Sequence, residues 1–509
     1  MAYVADARST NRADTTYRTT YAYDRLGRTA STTDQRGVVH TYSFDLAGRL
    51  SSDTVDSLGS PSADGTVRRI GTAYDSLGRV QAVSSYSFED STWTIVNQVE
   101  YAYDGWGNLA QEWQEHDGAV DTQSTLSVQY TYDDGASGNV AKYVRLAEVT
   151  YPNGREVNYD YGTAGAIDDI MSRLSSIYDD ADDDGAIDAG EDVYAAYDYL
   201  GANRIVTEDY AEAEVKLDYY GTNNDFAALD RFGRVVDQLW RDYGNSKDAD
   251  RFLYGYDRVG NRVWKENARA AAESTPIHLD ELYAYDNLNQ LATVDRGNLN
   301  SAHDGIVSAT EGLAQDWTLD GLGNWAGFAE DTDGDGTPEL SQVRDHNKAN
   351  ELTNIDSSDD DVAHDAAGNM IRVPKLDGSG EHFHLTYDAW NRLAEVYDDD
   401  GTTLIATYEY DGKNRRIEKL IEDTPDVNTH FFHKGNQVIE TRQATDSSPP
   451  ESMQPKYQNI WSPRYIDSLI LRDENTDTDG QCDDARIFYL ADANYNVTAV
   501  VAESTPGQN

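Results

Sequence analysis

One eight-residue pattern constrains this chain more than any other feature, because it recurs. Tyr21-Ala-Tyr23-Asp24-Arg25-Leu26-Gly27-Arg28 is followed by Tyr42-Ser-Phe44-Asp45-Leu46-Ala47-Gly48-Arg49 and by Tyr74-Asp75-Ser76-Leu77-Gly78-Arg79. Further copies start at Tyr101, Tyr254, Tyr283, Tyr387 and Tyr408, and degenerate ones retain an Asp-x-x-Gly core, as at Asp230–Gly233, Asp320–Gly323 and Asp365–Gly368. Together they make about fourteen units over residues 20–415. A period of roughly 20 to 30 residues marks a repeat architecture. Tyr-x-Tyr sets two aromatics on one face of a strand, since side chains alternate with period two. The Asp side chain can bond backbone two residues on and start a turn, and Gly supplies the positive φ that ends it. One unit therefore reads as strand, turn, strand. A lone hairpin is marginal, so the units are expected to pair side by side into one long sheet, with ladders of stacked tyrosines on one face.

Repeated Tyr-x-Tyr-Asp-x-x-Gly-Arg-Leu resembles the YD-repeat (RHS-repeat) family over most of the chain. Phe431–Glu440, Trp461–Asp467 and Tyr489–Val500 resemble the segments that end the family's array. The resemblance implies an all-β fold: tandem hairpins forming one antiparallel sheet, spiralled into a hollow shell or part of one. It implies an array over 1–425, and over 426–509 a truncated start of the family's core region. In bacterial relatives such a shell encloses a toxic C-terminal domain; in animal relatives it belongs to an adhesion receptor. The family's Asp-Pro-x-Gly segment is absent, so the expectation is a section of shell without its cargo, and self-cleavage does not carry over.

Composition narrows the partners. The formal charge is −51, which repels nucleic acid and anionic membranes and favours cations or basic proteins. It also suits a saline medium, or serves to keep a large β surface soluble. The one cysteine, Cys482, excludes an intrachain disulfide framework. No stretch approaches the ~18 apolar residues of a membrane span, and the first thirty residues hold no signal peptide. A secreted or cell-surface protein is expected, exported by a signal further upstream or by another route.

Three Asp-rich inserts interrupt the array. Asp180, Asp182, Asp184, Gly185, Ala186, Asp188 and Glu191 occupy the ligand and turn positions of a twelve-residue calcium loop. Asp331, Asp333, Asp335, Gly336 and Glu339 supply the first half of that pattern, with Gln342 at its last position. Asn475, Asp477, Asp479, Gly480 and Asp483 do the same, with Arg486 last. Calcium takes six to eight oxygens, and alternating carboxylates around a sharp Gly turn provide them. The flanks do not read as long helices. Residues 167–178 suit strand and link as well.

Catalytic signals are absent. His382 and His384 share a strand face and His430 lies near His433, but no third zinc ligand is identifiable, and no nucleophile elbow, phosphate loop or dinucleotide motif occurs. The sequence therefore points to a non-enzymatic shell that encloses or displays a C-terminal cargo domain. The alternative is a calcium-assisted surface adhesin that binds glycans or proteins. Open sheet edges would invite self-association.

Overall fold

In the computed structural model of this chain the described residues are 2–5, 8, 17–60, 63–136, 138–180, 187, 191–221, 225–275, 277–356, 361–376, 378–423, 425–445, 448–477 and 479–502. Among them, 37 strands form two antiparallel sheets of 25 and 12 strands. The first runs from Ala2–Ala5 to Leu352–Ile355, the second from Ala363–His364 to Val497–Ala502. Within each sheet every strand pairs with its neighbours in sequence, and among the described residues neither sheet closes on its own first strand. The all-β array expected from the repeat is what forms. Residues 167–178 divide into a short helix, Ile167–Met171, and a strand, Ser176–Tyr178.

The turn at Asp75 shows how the motif works. Asp75 N–H donates to Arg79 O at 2.9 Å and Gly78 N–H to Asp75 O at 3.0 Å. Asp75 Oδ1 accepts from Leu77 N and Arg79 N at 2.9 Å, and Oδ2 from Arg79 Nε at 2.7 Å. Gly78 sits at φ +87°, where a Cβ is strained. Burial pushes the Asp75 carboxyl up, but the Arg79 side chain and the backbone donors outweigh it and hold it below the usual carboxylate range.

The register then slips between Ala73 and Tyr74, as it does before Tyr103, Tyr256, Tyr285, Tyr387 and Tyr410. This bulge re-aims the second tyrosine. Tyr103 OH donates to Val80 O of the preceding unit at 2.7 Å, and Arg79 of that unit lies 4.1 Å over the same ring. Tyr74 pairs likewise with Leu50 O and Arg49, and Tyr410 with Leu393 O and Arg392. The expected tyrosine ladders are replaced by alternating arginine and tyrosine. The reason is spacing: equivalent tyrosines lie two strands, or about 10 Å, apart. That is too far for ring stacking, and a guanidinium fills the gap. Where the fourth residue after Asp is Asn, an amide contact joins adjacent turns instead, as from Asn369 Nδ2 to Asn391 Oδ1 at 2.8 Å.

Because strands alternate direction, all the YD turns lie along one long rim of the array and the other turns along the far rim. The YD rim of the second sheet lies across the far-rim half of the first. Asp388 O accepts from Arg36, Ala389 O contacts His40 Nε2, and Tyr410 O accepts from Asn97 Nδ2. Further along, Tyr151 OH donates to Asn459 O, and Gln238 Nε2 and Trp240 Nε1 both donate to Ala491 O. Contacts advance together along both sheets, as in two successive turns of a coil. The main apolar core is shared: Tyr210, Leu217 and Trp240 of the first sheet pack with Ile460, Leu471 and Phe488 of the second.

Candidate functional site

The acidic insert at 331–339 is the turn between strands Trp325–Asp331 and Leu340–His346. Asp331, buried at the strand end, accepts at Oδ1 from Gly334 N and at Oδ2 from Gly336 N, each at 2.6 Å. Asp333 Oδ1 accepts from Asp335 N, Asp335 Oδ1 from Thr337 N, and Glu339 Oε2 from Thr332 N at 2.6 Å. Gly334 and Gly336 take φ of +74° and +88°, and a Cβ on Gly334 would lie 2.4 Å from Glu311 backbone. The fold thus gathers one carboxylate oxygen each of Asp331, Asp333, Asp335 and Glu339 within 4.8 Å of one another. Burial raises the Asp331 carboxyl, but the Gly336 and Gly334 N–H groups outweigh that and hold it low. Four acceptors around a glycine turn suit a hard divalent cation. Gln342, at the last position of the calcium pattern, instead accepts from Arg344.

The insert at 475–483 folds alike, except that Asp484 closes it. Asp484 Oδ2 accepts from Thr476 Oγ1 and Asp477 N at 2.9 Å, and Asp479 N donates to Asp477 Oδ1 at 3.0 Å. Asp483 is left beside like charges: burial and then Asp479, Asp484 and Asp477 raise its carboxyl. Asn475 is buried at the loop base, its N–H on Lys456 O. Of the insert at 180–191, Asp182, Asp184, Ala186 and Asp188 lie outside the described residues. Asp180 is buried and Glu191 half-buried. Asp179, Asp180, Asp192, Cys482 and Asp483 share a polar cavity of about 460 Å³ with Arg155 and Arg486, so these two inserts meet across the seam between the sheets. Burial and nearby Glu440 push the Cys482 thiol up to about 12, which makes it a poor nucleophile at neutral pH.

The seam also carries features that no local signal announces. Buried ion pairs cross it: Arg415 with Glu112 at 2.8 Å, Arg155 with Asp473 at 2.7 Å, and Arg464 with Glu208. Beside them, His116 of the first sheet meets His430 of the second, Nδ1 to Nδ1 at 3.0 Å, with Phe432 stacked on His116 at 4.6 Å and His433 close by. One ring must donate and the other accept, so at least the accepting ring is neutral. Burial, then Arg442, lowers His430 to about 4; burial, then Arg415, lowers His433 to about 3. Among the described residues no zinc-like set forms around these histidines, nor around His382 and His384.

The RHS Repeat family profile matches residues 364–403, the two units around Asp365 and Asp388. No curated protein sequence matches the chain. Solved structures do. The crystal structure of TcdB2–TccC3–TEV has a TM-score of 0.63 at 16% identity, covering 96% of this chain and 23% of its own. A Photorhabdus luminescens Tc holotoxin pore with a mutated TccC3 gives 0.62 at 14% identity, covering 95% and 24%. TcdB2–TccC3 without its hypervariable C-terminal region gives 0.62 at 15%, covering 95% and 24%. The likeness is one of fold, and this chain spans about a quarter of the length of those chains. No helix among the described residues is long and apolar enough to cross a membrane.

Proposed function

We propose that this RHS-repeat chain is a section of shell wall, structural rather than catalytic, that encloses or displays a cargo domain in a secreted or surface-borne particle. The observation that carries this reading is the second sheet lying along the first, turn upon turn, as a wall is wound. Similarity of fold to a Tc holotoxin pore supports it. Limited proteolysis of the native particle tests it. A cargo held behind the wall resists trypsin until concentrated guanidinium opens the wall. Cargo cut at the rate of free polypeptide in the native state would overturn the reading.

In this reading Asp331, Asp333, Asp335 and Glu339 bind calcium and stiffen the far rim, with an affinity of about 10⁻⁴–10⁻³ M, as in extracellular modules. Calorimetric titration should show heat that disappears in an Asp333→Asn, Asp335→Asn variant. No heat from the parent protein at millimolar calcium would remove the cation from the account. A glycan-binding surface is the second reading, favoured by Phe431, Tyr457, Trp461 and Tyr489 lining an open concavity of about 440 Å³.

A further inference from the structure

The YD rim of the first sheet is strongly apolar at its tips, in a chain with a formal charge of −51. In six of the first sheet's Asp turns the third residue is Leu26, Leu77, Trp106, Phe232, Val259 or Leu322, and each is 67–78% exposed. Between Trp106 and Phe232 the row is carried on by exposed Val144 and Ile167. Neighbouring YD turns stand about 10 Å apart, so these side chains form a band, not scattered residues. Six large side chains, each showing on the order of 100 Å², reach the upper end of the roughly 300–600 Å² patch of an ordinary monomer.

The molecule itself shows what covers such a rim. On the second sheet the equivalent turns are seated on the far-rim half of the first sheet. There Ala389 is buried, Trp390 Nε1 donates to Asp53 Oδ2 at 2.9 Å, and a Cβ on Gly412 would lie 2.6 Å from Val83 Cγ1. Lys413 and Arg415 reach Glu112 at 3.6 and 2.8 Å. There a YD rim bearing Trp390, Lys413 and Arg415 sits on a carboxylate-bearing far-rim half. The first sheet's exposed rim has the same character, with Arg25, Arg231 and Arg258 beside its apolar tips. Three far-rim turns of the second sheet have the complementary one: Asp399, Asp400, Glu422, Asp426, Asp477 and Asp479 stand in segments 398–403, 422–426 and 474–484, which contain no Lys or Arg.

We propose that copies of this chain join head to tail, the YD rim of one copy's first sheet seating on the acidic far-rim half of the next copy's second sheet. The two surfaces differ, so the contact is heterologous and extends the coil instead of closing a dimer. It is separate from the open edge strands at the ends of each sheet.

Sedimentation velocity of the full chain tests this. At 0.15 M sodium chloride the Debye length is about 8 Å, which screens the long-range net repulsion and leaves the apolar contact and its close charge pairs. The expected result is an open series of species growing with concentration. Leu77→Asp, Trp106→Asp, Phe232→Asp, all at exposed positions, should raise the required concentration at least tenfold with the far-ultraviolet circular dichroism unchanged. A Glu422→Lys, Asp426→Lys variant should do the same from the other surface. Mixed, the two variants retain one intact pair of surfaces and should form a dimer that stops there. A monomer at all concentrations, a single closed dimer of the parent chain, or assembly indifferent to both variants would overturn the proposal.

Discussion

Arg464→Ala should lower the unfolding free energy by about 3–5 kcal/mol, the usual effect of leaving one member of a buried ion pair alone. Its partner Glu208 is fully buried on the first sheet, some 250 residues away in sequence. Ser462 Oγ donates to Glu208 Oε1 at 2.6 Å, so one of the carboxylate's oxygens keeps a partner and the other loses its cation. Burial lowers the Arg464 guanidinium but nearby Glu208 and Tyr219 outweigh it and raise its proton affinity, so the arginine is charged throughout the accessible pH range. The double variant Glu208→Gln, Arg464→Met removes both charges and should recover most of the loss. Urea denaturation of the three proteins measures this. An Arg464→Ala protein within about 0.5 kcal/mol of the parent would mean that the pair does not join the sheets.

Acid should weaken the same seam further along. His116, His430 and His433 are neutral and buried, and all three are held below their ordinary value of 6.5. An unfolded chain binds protons at these residues as the pH falls through 6.5, while the folded chain does not until about 4 for His430 and about 3 for His433. Their contribution to stability is therefore full above pH 6.5 and is lost steadily below it. Each depressed histidine adds a slope of up to about 1.4 kcal/mol per pH unit.

Buried carboxylates oppose this slope. Glu418 faces His430 at 3.9 Å, and burial raises it; Glu115 is raised likewise, and Glu409 to about 7. Arg415 stays charged nearby, and the histidine part is isolated by comparison. A His430→Gln, His433→Gln variant should show a slope between pH 6 and 4.5 that is shallower by about 2–3 kcal/mol per pH unit. Parallel curves for parent and variant would show that these rings ionise freely in the fold.

The repeat was legible because its signals are local. Asp-x-x-Gly fixes its own turn through bonds spanning four residues, and no distant contact is needed to place it. What the second tyrosine does was not legible. The bulge that turns Tyr103 toward Val80 O arises only when two strands are paired. The acidic inserts were half legible. Alternate Asp residues and the glycine locate the loop, but the acid that closes it is the one just before the returning strand. That residue is Glu339 ahead of Leu340 and Asp484, not Asp483, ahead of Ala485. The seam was invisible for a different reason. His116 with His430, or Arg155 with Asp473, join residues more than 300 positions apart, and no spacing rule reaches across a turn of a coil.

The central claim is that the two sheets form one wall, locked along that seam. Amide hydrogen exchange at rising denaturant tests it most directly. Strands Leu146–Thr150 and Arg204–Tyr210 of the first sheet and Pro455–Trp461 and Leu469–Glu474 of the second should lose protection together, with a single opening free energy, and all four should weaken equally in Arg464→Ala. If the second sheet opens at lower denaturant while the first keeps its full protection, the sheets are independent and the wall is not wound as one body.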